Sequence, residues 1–285
     1  MTHATMFFTL FILSFSMQAC TLSLNDFVLL GERIDGSGVR ASETRSLTDV
    51  HGVRLSTIGK LEIRRGDKDE ITISADDNIL EHIVTRTKDG VLSIATKSGS
   101  SIRSKTPIRY MLTLRSLDLI SITGSGEIFA DAVSGKNVSL SVSGSGDLHI
   151  ARIDAEQVRL RSSGSGDMRI RNISANALAA RLNASGDVTI QKGKIGRQHV
   201  IVSASGDYDA AWVRSARAEV RCSGSGDARL LVSENLRVSA SGSGDVFYHG
   251  SPRVNTHTTG SGRIIQLPFR ESYHRPGNVN PLDVA

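Results

Sequence analysis

Aromatic side chains make up only 5% of this 285-residue chain, with a single tryptophan, Trp212. That scarcity suits a narrow core of Val, Ile, Leu and Ala, and it offers little for stacking bases or sugars. There are two cysteines, Cys20 and Cys222. Cys20 is read below as a lipidation site, so no intrachain disulfide is expected, and Cys222 reads as a small buried hydrophobe. Of five prolines, only Pro252 falls inside the repeated region described below. Pro268, Pro276 and Pro281 crowd the tail, where ladder hydrogen bonds can stop. His149, His199, His249 and His257 are scattered, with no metal-ligand spacing and no Ser-His-Asp arrangement. The formal net charge is +5 and the calculated pI about 9.4, which permits weak affinity for anionic surfaces. No nucleic-acid partner is expected, because the arginines are spread out without interleaved aromatics.

What the chain has is a beat. "SGSGDLHI" from Ser143 returns as "SGSGDMRI" from Ser163 and "SGSGDARL" from Ser223. The acidic residue falls at Glu127, Asp147, Asp167, Asp187, Asp207, Asp227 and Asp245, in five steps of twenty residues and one of eighteen; Arg263 stands another eighteen on. Two copies are degenerate, "NASGD" at Asn183 and "SASGD" at Ser203. A flexible linker would not keep this register. Between beats the residues alternate. Val138, Leu140, Val142, Leu148 and Ile150 share one parity; Ser139, Ser141, Ser143, Asp147 and His149 share the other. Period two means strand with one face buried. Val158, Leu160, Met168 and Ile170 keep the phase, as do Leu182, Val188, Val220, Leu230, Val238 and Val246. Gly144 and Gly146 lie on the inward parity, so the beat marks a corner that wants small residues and the backbone freedom of glycine. One coil per beat, each stacked on the next, predicts an all-β fold, a parallel β-solenoid with coils of about 20 residues.

Alternation also predicts outward columns. Asp147, Asp167, Asp187, Asp207, Asp227 and Asp245 should stack about 5 Å apart, repelling by roughly 3 kcal/mol per pair at an effective dielectric near 20 and by under about 1 in water. Two readings follow. Each Asp accepts hydrogen bonds from corner N–H groups or hydroxyls, or the column is a metal site, since hard cations take carboxylate oxygens. The first is preferred: the calcium-binding Gly-Gly-x-Gly-x-Asp repeat sets its Asp one residue further on. A second column, Ser141, Arg161, Arg181, Ile201, Arg221 and Ser239, forms a partly basic stripe. It reads first as a solvated face and second as a surface for acidic glycan or lipid head groups.

The N-terminus reads as an export signal, residues 1–19. Its apolar run, Met6 to Ser16, is about eleven residues long, too short to span a membrane. "Met17-Gln18-Ala19-Cys20" resembles a bacterial lipobox, although no Lys or Arg precedes the run. The resemblance implies that Cys20 is acylated and, with Thr21 after it, that the protein goes to the outer membrane, facing periplasm or cell surface. Residues 20–45 then form a lipidated tether, 46–122 a strand-rich N-terminal cap, 123–267 the repeats and 268–285 a C-terminal cap or tail. Asp89-Gly90 is a hairpin signal, Gly66-Asp67 a turn, and a short helix can start at Asp77.

A strand-rich segment with "RRGDKDEITISADDNILEHI" and "KDGVLSIAT" leads into the Ser-Gly-Ser-Gly-Asp beats. Over roughly 46–265 this resembles the family called putative auto-transporter adhesin, head GIN domain. The resemblance implies a right-handed parallel β-helix on the cell envelope and brings no catalytic residues and no cofactor. The expected function is a non-enzymatic envelope module, structural or adhesin-like, anchored through lipid and meeting an envelope glycan or protein. A glycan- or ion-binding module is the alternative. A polysaccharide-active β-helix enzyme is less favoured, because the fixed period leaves no room for long loops walling a groove until after Tyr248.

Overall fold

The computed structural model describes residues 32–268. Apart from one four-residue helix, Asp77–Leu80, its regular elements are strands. Strands Glu127–Val142, Leu148–Ser162, Met168–Leu182, Gly193–Val202, Tyr208–Cys222 and Ala228–Ala240 stack in parallel. The register is one beat per coil: Leu140 pairs with Leu160, Leu160 with Ala180, Ala180 with Val200 and Val200 with Val220. The fold is a β-solenoid of about seven turns. Its interior is one continuous apolar cluster shared with the cap. The inward residues read from period two, including Val158, Leu160, Met168 and Ile170, are at most 1% exposed.

Each coil bends more often than the glycines signal. Ile150 is buried, then Ile153, then Val158, so the inward parity flips between the first pair and flips back between the second. The middle column, Val133, Ile153, Ile173 and Val213, is buried on the parity that the sequence reading assigned to the surface. The first eighteen-residue coil is shortened at these bends: the pairing drops back by three residues between Ala210 and Arg214 and regains one between Ser215 and Arg217, for a net loss of two.

The cap is threaded out of order. Gly52–Leu55 and Lys60–Arg65 form a coil directly beneath Leu119–Ile122 and Glu127–Val142. The chain then leaves, turns back antiparallel as Glu70–Asp76, passes through the helix and makes the hairpin Ile83–Lys88 with Val91–Thr96. That hairpin turns at Asp89 (φ 50°) and Gly90 (φ 71°), both left-handed, as the Asp-Gly signal requires. Val91–Thr96 and Arg109–Leu114 then lie under the earlier coil, and the chain crosses over it to begin the repeats. The antiparallel strands Arg40–Ser46 and Glu70–Asp76 cover this end of the stack, where an open parallel edge would recruit other chains.

Asp76 fastens the cap. Its Oδ2 accepts the Lys105 N–H at 2.7 Å and the Ser104 hydroxyl at 2.9 Å. Burial raises its pKa, but the bonds from Lys105, Thr106 and Ser104 outweigh that and hold it at about 2.

Candidate functional site

The Gly-rich corner is where the sequence concentrates its signal. Its glycines are required for space. Among the described residues, none of Gly144, Gly146, Gly164, Gly166, Gly224 or Gly226 has a positive φ. A Cβ on Gly146 would strike the carbonyl of Gly126, and one on Gly166 the carbonyl of Gly146. The glycine backbones stack so closely that each coil rests on the peptide below. The corner's donors are then shared: the N–H groups of Ser145 and Gly146 both reach the carbonyl of Gly124, at 3.2 Å each. The pattern repeats from Ser165 and Gly166 to Gly144, and from Ser225 and Gly226 to Ala204.

The next donor in the corner, the N–H of the Asp, finds a side chain. Asp167 donates to Asp147 Oδ1 at 2.8 Å, Asp187 to Asp167 at 2.9 Å, Asp207 to Asp187 at 2.8 Å and Asp227 to Asp207 at 2.8 Å. Asp245 donates to Asp227 at 2.8 Å, and Arg263 to Asp245 at 2.7 Å. The column is thus a chain of charge-assisted hydrogen bonds running from coil to coil. Its second oxygens meet arginines: Arg169 and Arg229, each two residues downstream of the beat, and Arg263, which stands on the beat itself. Arg169 lies 2.8 Å from Asp167 Oδ2 and 3.6 Å from Asp147 Oδ2. Arg229 lies 3.1 Å from Asp227 and 3.4 Å from Asp207, and Arg263 lies 2.7 Å from Asp245. Side-chain and backbone bonds from Arg263 lower the Asp245 pKa. Asp187, the most exposed of the six, has no arginine partner among the described residues. The repulsion that the sequence predicts is therefore offset within the column. The position two after the Asp carried the missing signal, in Arg169 and Arg229. Among the described residues, no group of three or more His, Cys, Asp or Glu side chains could hold a metal ion.

The basic stripe of Arg161, Arg181 and Arg221 is exposed and in register, and it belongs to a wider face. Two further columns lie beside it. One holds Ser139, Arg159, Ala179, His199, Glu219 and Arg237; the other holds Asn137, Gln157, Ala177, Arg197, Arg217, Asn235 and Arg253. From Gln157 and Arg159 onward these two columns floor an open trough of about 820 Å³, with Arg161, Arg181 and Arg221 beside it. The four histidines share no site: His149 stacks on Phe129, 4.5 Å between ring centroids, and His199 lies 3.4 Å from Glu219. Cys222 is buried in its expected column, and burial pushes its thiol up to about 12. Cys20 and the tail after residue 268 lie outside the described residues.

Tyr208 and Gln198 form a buried polar pair that the alternation does not announce. Tyr208 Oη donates to Gln198 Oε1 at 2.6 Å inside the core. The ring fits because Ala228 is its neighbour in the next coil and Ala210 follows it on the same face. Burial raises the Tyr208 pKa.

A family model described as "Putative auto-transporter adhesin, head GIN domain" matches residues 49–252. No curated protein matches the chain significantly. Among solved structures, a putative adhesin from Parabacteroides distasonis is similar at a TM-score of 0.79 and 20% identity, covering 83% of this chain and 100% of that one. A putative lipid binding protein from the same organism is similar at a TM-score of 0.76 and 21% identity, with 83% and 100% covered. A putative adhesin from Parabacteroides merdae is similar at 0.75 and 18%, with 83% and 99% covered. At these identities the likeness establishes the shared fold.

Proposed function

Because this chain belongs to the family described as putative auto-transporter adhesin, head GIN domain, we propose that it is a non-enzymatic module of the bacterial cell envelope. It is exported, held to the outer membrane by a lipid on Cys20, and adhesin-like in that a rigid rod presents its side faces to a partner. One observation supports this above the others. From Glu127 to Gln266 the coils stack in parallel, with register shifts only at the bends near Ala210 and Ser215, and their corners are five-residue Gly-rich turns without inserted loops. A polysaccharide-cleaving β-helix needs a walled groove with clustered acids or bases to exclude water and position a bond. The ladder of tied corners serves rigidity instead.

The test is fractionation with attachment. Cys20→Ala is expected to move the protein from the membrane fraction to the soluble periplasm or medium, since the acyl chains supply its hold on the bilayer. Cells displaying the native chain are expected to attach to envelope material better than cells carrying Cys20→Ala. Unchanged fractionation after washing contradicts the anchor, and equal attachment contradicts the adhesin-like role.

A further inference from the structure

We propose that the arginine face of the solenoid is a binding surface for an acidic polysaccharide, whose carboxylate groups lie along the trough from coil to coil. This rests on the adhesin-like reading and names its ligand class. The face comprises the three outward columns that begin at Asn137, Ser139 and Ser141. It carries Arg159, Arg161, Arg181, Arg197, Arg217, Arg221, Arg237 and Arg253, all exposed, and one acid, Glu219.

The distribution of partners distinguishes this face from ordinary solvated surface. On the aspartate column the chain interleaves Arg169, Arg229 and Arg263 with the acids, so stacked like charges are relieved. On the arginine face that remedy is mostly withheld. Arg221 pairs with Glu219 at 2.8 Å and Arg217 with Glu234 at 3.3 Å. Arg159, Arg161, Arg181, Arg197, Arg237 and Arg253 make no ion pair among the described residues. Arg161 and Arg181 are nonetheless stacked neighbours in adjacent coils, about 4.8 Å apart along the ladder. These columns contain arginine and no lysine. Arginine's planar fork binds carboxylate in two-point fashion, which a point-charge ammonium does not.

The surroundings select a polysaccharide among polyanions. The trough is concave, and its floor is small at Ala177 and Ala179. Gln157, Asn235 and Asn255 add amides that both donate to and accept from hydroxyl groups. It contains no Phe, Tyr or Trp to stack a nucleobase, its one ring, His199, lies 3.4 Å from Glu219, and Val254 is its only exposed large apolar residue, too little to enter a bilayer.

The experiment titrates the purified full chain with polygalacturonate, with neutral dextran, and with phosphatidylglycerol vesicles. The native chain is expected to bind polygalacturonate in a salt-dependent way and to ignore dextran. The triple variant Arg159→Glu, Arg197→Glu, Arg237→Glu is expected to weaken binding at least tenfold with an unchanged circular dichroism spectrum. Lys68→Glu, Lys88→Glu, Lys97→Glu on the cap changes charge equally and is expected to bind as the native chain does. Equal weakening by both triples, preference for the vesicles, or no binding to polygalacturonate overturns the proposal. If polygalacturonate binding is absent while cells still attach through the anchored chain, only this inference falls; if attachment is absent too, the adhesin-like reading falls with it.

Discussion

Asp147 Oδ1 accepts the backbone N–H of Asp167 at 2.8 Å, across the boundary between two coils. The bond explains why the beat ends in an acid. The glycine corner stacks peptide on peptide, and the carbonyl of the first small residue already serves two donors. The Asp N–H is left facing the coil below, and a short side-chain acceptor in that coil closes it. Repetition turns one local solution into a column, and the column's charge is then relieved by Arg169, Arg229 and Arg263.

Leu160→Asp is expected to unfold or aggregate the protein. Leu160 is 1% exposed between Leu140 and Ala180, so the new carboxylate has no partner and no water. The loss should exceed about 4 kcal/mol. Ser163→Ala, on the exposed side of the same coil, should stay within about 0.5 kcal/mol. Thermal melts of the two variants check this, and equal damage would contradict the assignment of faces.

Alternation between beats made such core positions legible: Leu140, Leu160 and Val220 needed only period two. Ile153 and Val213 were not legible, because two bends per coil invert the parity without a glycine to announce them. The corner and its need for small residues were legible, and the structure meets that need as close approach of stacked peptides; the backbone freedom of glycine, also expected there, is not used. The crossing of the cap was hidden as well, since parallel pairing of Lys60–Arg65 with Glu127–Val142 leaves no local mark. Of the arginine face, only the column of Arg161, Arg181 and Arg221 was read. Arg159 and Arg197 stand eight and ten residues before the beat's Asp, and they join that column only once the coils are stacked.

Tyr208→Phe is expected to cost about 1–3 kcal/mol, because it leaves the amide of Gln198 buried without its donor. Adding Gln198→Leu should recover most of that loss, since replacing both partners by apolar groups removes the unpaired atom. Leu178 and Leu236 already occupy the same column, so a leucine suits the site. Chemical denaturation of the single and double variants gives the comparison. A double variant no better than the single would contradict this role for the pair.

Acid should loosen the cap first. Asp76 has its pKa held at about 2, below the ordinary carboxylate value of 3.8. A group depressed on folding contributes stability above its unfolded pKa and loses it as pH falls through the folded one. Asp76 should therefore lose its contribution between about pH 4 and pH 2, and Asp245, lowered by Arg263, should add to the same acid limb. Hydrogen exchange at Lys105 and Thr106 should rise in that window before exchange at Leu160 does. Simultaneous loss at all three would contradict an acid-labile cap.

The role of the aspartate beat is tested most directly at Asp187, whose Oδ1 accepts the Asp207 N–H at 2.8 Å and which lacks an arginine partner among the described residues. Substitution there disturbs the tie and no ion pair. Asp187→Asn keeps an acceptor oxygen and should melt close to the native chain. Asp187→Ala leaves the Asp207 N–H to water and should lose about 1 kcal/mol. Melting temperature measured for the three proteins, with added Ca²⁺ and then with EDTA, is expected to follow that order and to ignore both reagents. A rise of several degrees with Ca²⁺, removed by EDTA and by Asp187→Asn, would contradict the tie and make the column an ion site.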